Sequence, residues 1–536
     1  MNGGAESHRR LILNLQQALS RSGGEVVLIE THISSVLLQG DYAYKIKKPL
    51  NLGFLDFSTL EHRRHFCQEE VRLNRRLAPA TYLGVVAITG TAAAPLLGGK
   101  GEAIEYVVKM RRFPDGGLLS QHADTLSGEI AETIAVHLER FHSGIGIAGA
   151  GVAYGEPGLL IQPMRENFEL VDQLPADGAV LERSARLARW TEASCQRLNN
   201  SLLKRKEEGF IRECHGDLHL GNMTLVDGEV LIFDGIEFSP QLRWIDTMSE
   251  IAFLTMDLEE RGRADLSGRL LNHYLELTGD YAGLVVLRFY QVYRAMVRAK
   301  VSAIRLGQEG VKESERRQVM VDFNTYLGLA EGYTRSAASA LVITHGLSGS
   351  GKSTQATHCI ESLPAIRLRS DVERKRMAGL APTQKSSSPL TDGIYTVDFS
   401  KRVYQRLLEL AEWVMKAGFI AIVDATFLSR EQRRPFQQLA ESRGVPYAIL
   451  DCQLPESILR ERIEKRRQEG VDPSEADLQV LERQIADEEP LTNEELVFAL
   501  PLGAGPLDPI ALKNALTTNT NPCSENIVLS APYKGA

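Results

Sequence analysis

The apolar run Ala340-Leu341-Val342-Ile343-Thr344-His345 leads into Gly346-Leu347-Ser348-Gly349-Ser350-Gly351-Lys352-Ser353-Thr354. No other feature limits so tightly what the chain can fold into. The loop matches GxxxxGK[ST] in full, and that pattern works between a buried strand and the first turn of a helix. Its glycines let successive backbone N–H groups curl round a phosphate without Cβ clashes, and the helix N-terminus adds positive potential. Gly346, Ser348, Gly349, Ser350 and Gly351 are therefore expected to cradle phosphate groups. Lys352 is expected on the β- and γ-phosphates, with Ser353 as a Mg²⁺ ligand and Thr354 beside it.

The surroundings alternate strand and helix. Residues 419–427 (FIAIVDATF) and 448–450 (AIL) are apolar runs, and 401–417 set Val403, Leu407, Leu410 and Val414 on one helical face before Gly418. This alternation predicts an α/β domain with a parallel sheet, where ligands bind at the carboxyl ends of strands. Asp371 follows Ile366-Arg367-Leu368-Arg369-Ser370, where a second strand ends, and is expected to take a proton from a substrate hydroxyl. Arg374, one turn on, is placed to hold an anion. Asp424 closes the strand FIAIVD and faces the same crevice as a candidate metal ligand. Residues 459–467 (LRERIEKRR) put Arg462 and Arg466 at i, i+4 on one helix face, as suits a lid that neutralises a transferring phosphoryl group. Taken alone, that run reads as a solvated helix and Asp371 as a helix cap. The chain lacks an NKxD guanine signature, which disfavours GTP.

Residues 215–222 read HGDLHLGN. One reading is a metal hydrolase, with His215, Asp217 and His219 as ligands. The other is a kinase catalytic loop, with Asp217 as base and Asn222, five residues on, as a Mg²⁺ ligand. The order of residues downstream favours the kinase. Asn222 leads into a hairpin around Asp227-Gly228 and then to Phe233-Asp234-Gly235, which supplies a second metal-binding aspartate. A metal hydrolase has no need of that order. His215 and His219 are then expected to be structural hydrogen-bonders, and Glu237 a supplement to the metal site. Upstream, the strand 42–48 offers Lys45 for the α- and β-phosphates. Lys47 is the alternate, because alternation puts both on one face. The ion-pair partner is expected on the 58–77 helix, with Glu70 preferred over Glu69, and adenine near Met110 to Phe113. No GxGxxG precedes Lys45, so the phosphate-covering loop is unassigned.

The stretches ETHISSVLL, YKIKKPL, LDFSTLEHRRHF, LNRRLAP, HGDLHLGN and LIFDGIEF resemble the aminoglycoside phosphotransferase family, over residues 25–335. GLSGSGKST, RSDVERKRM, VDATFLSREQRRPF and LRERIEKR, over 340–485, resemble the small P-loop kinases. Those include the kinase domain of polynucleotide kinase and zeta-toxin-like and gluconate-kinase-like relatives. The order of the two halves is similar to that of bacterial fusion proteins joining an aminoglycoside phosphotransferase-like domain to an ATP-binding P-loop domain. The resemblance implies an α+β protein-kinase-like domain followed by an α/β P-loop kinase domain. It also implies transfer from ATP to a hydroxyl, with Asp371 as base in the second half. It does not make aminoglycosides the acceptor, because the fold also hosts choline, homoserine and sugar kinases. Leu220 stands where proline is frequent and Gly235 where an aromatic is common.

At 536 residues the chain is too long for one core, and two or three domains are expected. The composition divides it into 1–335, a P-loop part over 336–500 that starts at Ser336-Ala337-Ala338-Ser339, and a loosely ordered tail over 501–536 carrying TTNTNP. A net charge of −8 gives no bulk attraction to nucleic acid or an anionic membrane. Leu11, Leu15 and Leu19 suit an amphipathic helix, and the lack of any apolar run of ~18 residues points to the cytoplasm. Six cysteines without a CxxC pair are expected to stay reduced. The expectation is therefore an ATP- and Mg²⁺-dependent phosphotransferase with two kinase-type sites, each acting on a small-molecule hydroxyl. Two alternatives stay open. One is a nucleotide-binding regulator without turnover. The other is a P-loop half that phosphorylates a nucleic-acid 5′ end, for which the basic clusters 374–376 and 465–467 speak.

Overall fold

Strand pairing is antiparallel in the first part of the chain and parallel in the second. The computed structural model describes residues 2–53, 55–114, 116–173, 178–307, 312–335, 339–382, 384, 393–469 and 477–518, the side chains of 2–5, 466–469 and 518 excepted. The chain opens with α1 (Asn2–Gly23), β1 (Val26–Glu30), β2 (Ser34–Gln39), β3 (Tyr42–Lys47) and α2 (Leu60–Asn74). β4 (Tyr82–Thr91), β5 (Ala94–Leu97) and β6 (Glu105–Arg111) follow. Next come α3 (Gly128–Gly144), α4 (Pro157–Asp172), α5 (Gly178–Glu207), β7 (Ile211–Glu213), β8 (Met223–Val226) and β9 (Glu229–Ile232). After α6 (Pro240–Arg243) and β10 (Trp244–Asp246), the helices α7 (Thr247–Glu260), α8 (Ala264–Thr278), α9 (Leu284–Leu306) and α10 (Glu313–Thr334) form a long helical stretch. The last part runs β11 (Ala340–His345), α11 (Lys352–Ser362), β12 (Ala365–Arg369), α12 (Ser370–Met377), α13 (Val397–Lys416) and β13 (Ile420–Asp424). It ends with α14 (Arg430–Arg443), β14 (Tyr447–Cys452), α15 (Glu456–Glu469), α16 (Leu478–Asp487), α17 (Asn493–Leu496), β15 (Ala499–Leu502) and α18 (Pro509–Thr518).

Packing groups the chain into two units. One holds Met1–Leu126, Arg140–Pro163 and Asn199–Asp257; the other holds Ser127–Glu139, Met164–Leu198 and Leu258–Ala536. The helices α8, α9 and α10, which precede residue 336 in sequence, thus group with the P-loop part.

In the first unit, six strands form a sheet in the order β1-β2-β3-β6-β4-β5. Period-two alternation gives β3 two different faces. Tyr44 and Ile46 join Leu37, Ile88 and Val107 under Leu11, Ile12, Leu15 and Leu19 of α1. This is the amphipathic helix that Leu11, Leu15 and Leu19 predict, and each such buried side chain is worth roughly 1.5–3 kcal/mol. On the other face, Ala43, Val108 and Met110 pack against Cys67 and Val71 of α2. Lys45 and Lys47 lie on that same face, so α2 has to supply their counter-charge. Thr59 caps α2, its side chain accepting from the His62 N–H.

In the second unit, five parallel strands run in the order β12-β13-β11-β14-β15. Every residue of β11, β13 and β14 is buried. Ala356, Cys359 and Ile360 of α11 pack on one face with Val342, Ile420, Ile422, Ala448 and Leu450. Leu507, Leu512 and Leu516 complete that cluster. The expected loose tail therefore begins later than 501: residues 499–502 pair as a strand on β14, and α18 buries its apolar face. Residues 519–536, with TTNTNP's Asn519 onward and Cys523, lie outside the described residues. Cys67, Cys195, Cys214, Cys359 and Cys452 are buried thiols outside any disulfide. Among the described residues, no helix is long and apolar enough to cross a membrane.

Candidate active sites

The first centre is assembled by β3, α2, the 215–222 loop and the residues after β9. Lys45 Nζ lies 2.9 Å from Glu70 Oε1 and also pairs with Asp234. Lys47 Nζ lies 2.6 Å from Glu70 Oε2 and pairs with Glu237. Glu70 thus serves both lysines, as their shared face requires. Their second partners separate them. The Lys45 side chain is 12% exposed and reaches Asp234, whereas Lys47 is fully enclosed against Glu237. Glu237 is therefore a buried counter-ion in this arrangement. Burial works against the charge on Lys45, but the carboxylates of Asp234, Glu70 and Glu237 outweigh it and hold its pKa well above the usual lysine value. Burial likewise opposes ionisation of Glu70, and the two ammonium groups outweigh it and pull its pKa down. Glu69, the alternative partner, faces Arg72 instead.

Backbone hydrogen bonds hold the 215–222 loop. The Gly216 N–H donates to Glu250 Oε1 at 2.6 Å, and Glu250 Oε2 lies 2.9 Å from His142 Nε2. The Leu220 N–H donates to Asp257 Oδ2 at 2.9 Å. His215 Nδ1 accepts from the Asp217 N–H at 3.3 Å, and its Nε2 lies 2.9 Å from the Phe233 carbonyl oxygen. That histidine clips the loop to the segment carrying Asp234, and burial lowers its pKa and keeps it neutral. His219 Nδ1 accepts from the Gly221 N–H at 3.0 Å, and its Nε2 lies 3.5 Å from Asp217 Oδ2. Both histidines thus act as structural hydrogen-bonders. His215, Asp217 and His219 do not converge as a metal triad. Among the described residues, the His/Cys/Asp/Glu group close enough for one ion is His142, Cys214 and Glu250.

Asn222 Nδ2 donates to the Asp217 carbonyl at 2.9 Å and to Asp217 Oδ2 at 3.2 Å. Asp234 has a φ of 63°, a left-handed backbone that an aspartate holds only under constraint. The constraint is visible. Its N–H donates to the Tyr82 hydroxyl at 3.1 Å, and the next N–H, of Gly235, donates to Asn74 Oδ1 at 2.8 Å. Asp217 and Asp234 keep side chains 38% and 47% exposed, while the groups that hold them are buried. At the expected adenine position, Phe113 lies 4.4 Å from Phe233, ring centre to ring centre.

The second centre is a cleft of about 1040 Å³ at the carboxyl ends of β11, β12 and β13. Gly346 has a φ of 135°, and a Cβ there would lie 2.4 Å from the Cys452 carbonyl oxygen, so no other residue fits. Gly351 forms the N-cap of α11 at a φ of 92°. Ser348, Gly349, Ser350, Gly351, Lys352, Ser353 and Thr354 all line the cleft, as do Asp371, Arg374, Asp424 and Arg462. Lys352 Nζ donates to the Leu347 carbonyl at 2.7 Å, folded onto its own loop. Ser350 Oγ and Asp424 Oδ2 are buried without a hydrogen-bond partner. Asp371 sits in the first turn of α12, whose N-cap is Arg369. Arg374 donates to the Ile394 carbonyl at 2.7 Å and to Ser400 Oγ at 3.1 Å, and stacks on Tyr395. Arg462 Nη1 reaches 3.5 Å from the Gly349 carbonyl, so α15 covers the loop; the Arg466 side chain lies outside the described residues.

Sequence reasoning missed several cleft residues. Gln484 of α16 accepts from the Ser348 N–H at 2.8 Å, and Arg483 beside it lines the cleft. Arg369, Tyr395 and Tyr404 also line it. Arg369 ends a strand two residues before Asp371, and that position is a signal the sequence carries. Gln484 has none, since its partner lies 136 residues away.

A family model described as an AAA domain matches residues 341–491. The uncharacterized protein Rv2004c of Mycobacterium tuberculosis is 31% identical over 444 residues, 82% of this chain and 85% of its own length. Among solved structures, the amicoumacin kinase hAmiN in complex with AMP-PNP, Ca²⁺ and Ami is 14% identical with a TM-score of 0.39, over 60% of this chain and 96% of that one. A choline/ethanolamine kinase family protein from Mesorhizobium loti is 11% identical with a TM-score of 0.36, over 60% and 99%.

Proposed function

The chain belongs to the family of the Mycobacterium tuberculosis protein Rv2004c, and on that premise we propose that it is an ATP- and Mg²⁺-dependent phosphotransferase with two kinase-type sites. The acceptor at each is a hydroxyl of a small molecule. We assign 1–335 to a kinase-like domain and the part from 336 through α18 to a P-loop kinase domain. One observation supports the reading: Lys45 of β3, Glu70 of α2 and Asp234 after β9 pair with one another, and His215 ties the loop that carries Asp217 and Asn222 to the Phe233 carbonyl beside Asp234.

The donor sets suit a hard cation. Asp234 and the Asn222 amide oxygen at the first centre, and Ser353 with the partnerless Asp424 oxygen at the second, are all oxygen donors. When bound, Mg²⁺ screens the charge on the phosphates of ATP. The protein's own groups do the rest. At the first centre Lys45 leaves Asp234 for the α- and β-phosphates, and Glu70 keeps that ammonium aimed. Asp217, oriented by Asn222 and His219, takes the proton of the attacking hydroxyl and later passes it to solvent. At the second centre Lys352 unfolds from the Leu347 carbonyl onto the β- and γ-phosphates. Asp371 takes the hydroxyl proton, and Arg374 and Arg462 balance the charge of the moving phosphoryl group.

The test is phosphoryl transfer from labelled ATP to a panel of sugars, aminoglycosides, nucleosides and oligonucleotides. Asp217→Asn should lower one transfer activity by about 10²–10⁴-fold and leave the other. Asp371→Asn should do the reverse. A substrate whose transfer survives both changes contradicts both base assignments.

A further inference from the structure

We propose that Glu276, on a helix belonging by sequence to the kinase-like half, is a positioning residue for the second centre: it holds Arg369 off the cation ligand Asp424. This rests on the nucleotide reading of that centre.

Helix α8 presents Gly268, Asn272 and Glu276 at i, i+4 and i+8, one stripe of a helix. All three meet the P-loop part. A Cβ at Gly268 would lie 2.0 Å from the Ile360 carbonyl oxygen, so α8 crosses α11 at backbone contact. Asn272 then treats the edge strand β12 as a neighbouring strand would. Its Nδ2 donates to the Ala365 carbonyl at 3.0 Å, and its Oδ1 accepts from the Arg367 N–H at 2.7 Å. An edge strand's exposed N–H and C=O row is thereby closed. Glu276 comes one turn later. Its carboxylate accepts from Arg367 Nε at 2.8 Å and lies 2.7 Å from Arg367 Nη2, both side chains buried. The Glu276 carbonyl also accepts from Arg376 of α12.

The consequence lies at Arg369, which ends β12 two residues before Asp371. Its Nη1 is 4.0 Å from Glu276 Oε2, and its Nε is 3.9 Å from Asp424 Oδ2. That Asp424 oxygen is the buried one without a hydrogen-bond partner. The guanidinium thus lies between two buried carboxylates at similar range. Removing the charge on Glu276 takes away a pull that opposes Asp424. Arg369 then closes on the oxygen that the cation needs, and competes with it.

The experiment uses the full chain in a Lys45→Ala background, which leaves the second centre as the nucleotide site. Binding of a fluorescent ADP analogue is titrated at graded Mg²⁺. Glu276→Gln should raise the Mg²⁺ concentration for half-saturation about tenfold, with metal-free nucleotide affinity unchanged, because one of two competing charges near ~4 Å has been removed. Adding Arg369→Gln to Glu276→Gln should restore the Mg²⁺ response to within about twofold, as coupled neighbours do. An unaltered Mg²⁺ response in Glu276→Gln overturns the proposal. So does a loss that Arg369→Gln fails to rescue, which would make Glu276 a strut for β12 and nothing more. Should Glu276→Gln fail to fold, Arg369→Gln alone decides. It should lower the Mg²⁺ requirement about threefold by removing the competitor, and no fall overturns the inference. If nucleotide binding in the Lys45→Ala chain persists when Lys352→Ala is added, the nucleotide reading of the centre fails, and this inference with it.

Discussion

The two centres are built on opposite principles. At the first, the charged groups already satisfy one another: Lys45, Lys47, Glu70, Asp234 and Glu237 form one closed set, and backbone N–H groups fix the 215–222 loop to buried carboxylates. At the second, Ser350 Oγ and Asp424 Oδ2 have no hydrogen-bond partner, and Lys352 rests on its own loop. The first centre is preorganised by ion pairs that also hold the fold. The second is completed by what it binds. Mutations should therefore register as lost stability in the one and as lost ligand response in the other.

The largest expected effect is Glu70→Ala. It leaves Lys47 with Glu237 alone and Lys45 with Asp234 alone, in a buried site. Removing one partner of a buried pair should cost about 3–5 kcal/mol, read from urea unfolding. A loss under ~1 kcal/mol would show that the set is not an electrostatic keystone.

Acid unfolding sharpens the same side. Burial opposes ionisation of Glu250, and the hydrogen bonds from His142 and the Gly216 N–H outweigh it, taking its pKa from 4.5 to about 2. A depressed folded pKa means that the stabilisation is present above 4.5 and is lost as pH falls toward 2. Its full size is on the order of 3 kcal/mol. In Glu250→Gln, the stability-versus-pH curve should flatten over that window. An unchanged slope contradicts the clamp on the 215–222 loop.

Lys352→Ala is the counterpart at the second centre. The nucleotide-free chain should unfold within about 0.5 kcal/mol of wild type, as expected of a side chain whose ammonium rests on a carbonyl of its own loop. In a Lys45→Ala background, Mg²⁺–ATP at about a hundred times its Kd should add about 2.7 kcal/mol of stability, and Lys352→Ala should remove most of it. The smallest effect is Thr59→Ala, which removes the α2 cap and should cost ~1 kcal/mol without altering nucleotide response at the second centre.

The parts legible in the sequence are those whose chemistry is local. HGDLHLGN, the Asp227-Gly228 turn and Gly346–Ser353 each carry their geometry in a few adjacent residues, and their expected elements appear in the structure. Apolar runs mark β11, β13 and β14 for the same reason. The rest is set at long range. Alternation puts Lys45 and Lys47 on one face, but their second partners lie 189 and 190 residues away, and only the fold chooses them. Gly84 and Gly90 interrupt β4, and Pro501 sits in β15, so neither strand shows an uninterrupted apolar period. The helix α18 takes its stability from Leu512 and Leu516 docking on a core already formed, which a polar-looking terminus conceals.

The central claim is two separate nucleotide sites on one chain, and calorimetric titration of the intact protein with a non-hydrolysable Mg²⁺–ATP analogue tests it directly. The account predicts about two nucleotides per wild-type chain, about one in Lys45→Ala, about one in Lys352→Ala and none in the double variant, because the site chemistries are independent. A single nucleotide per wild-type chain, or either single variant losing both, would contradict it.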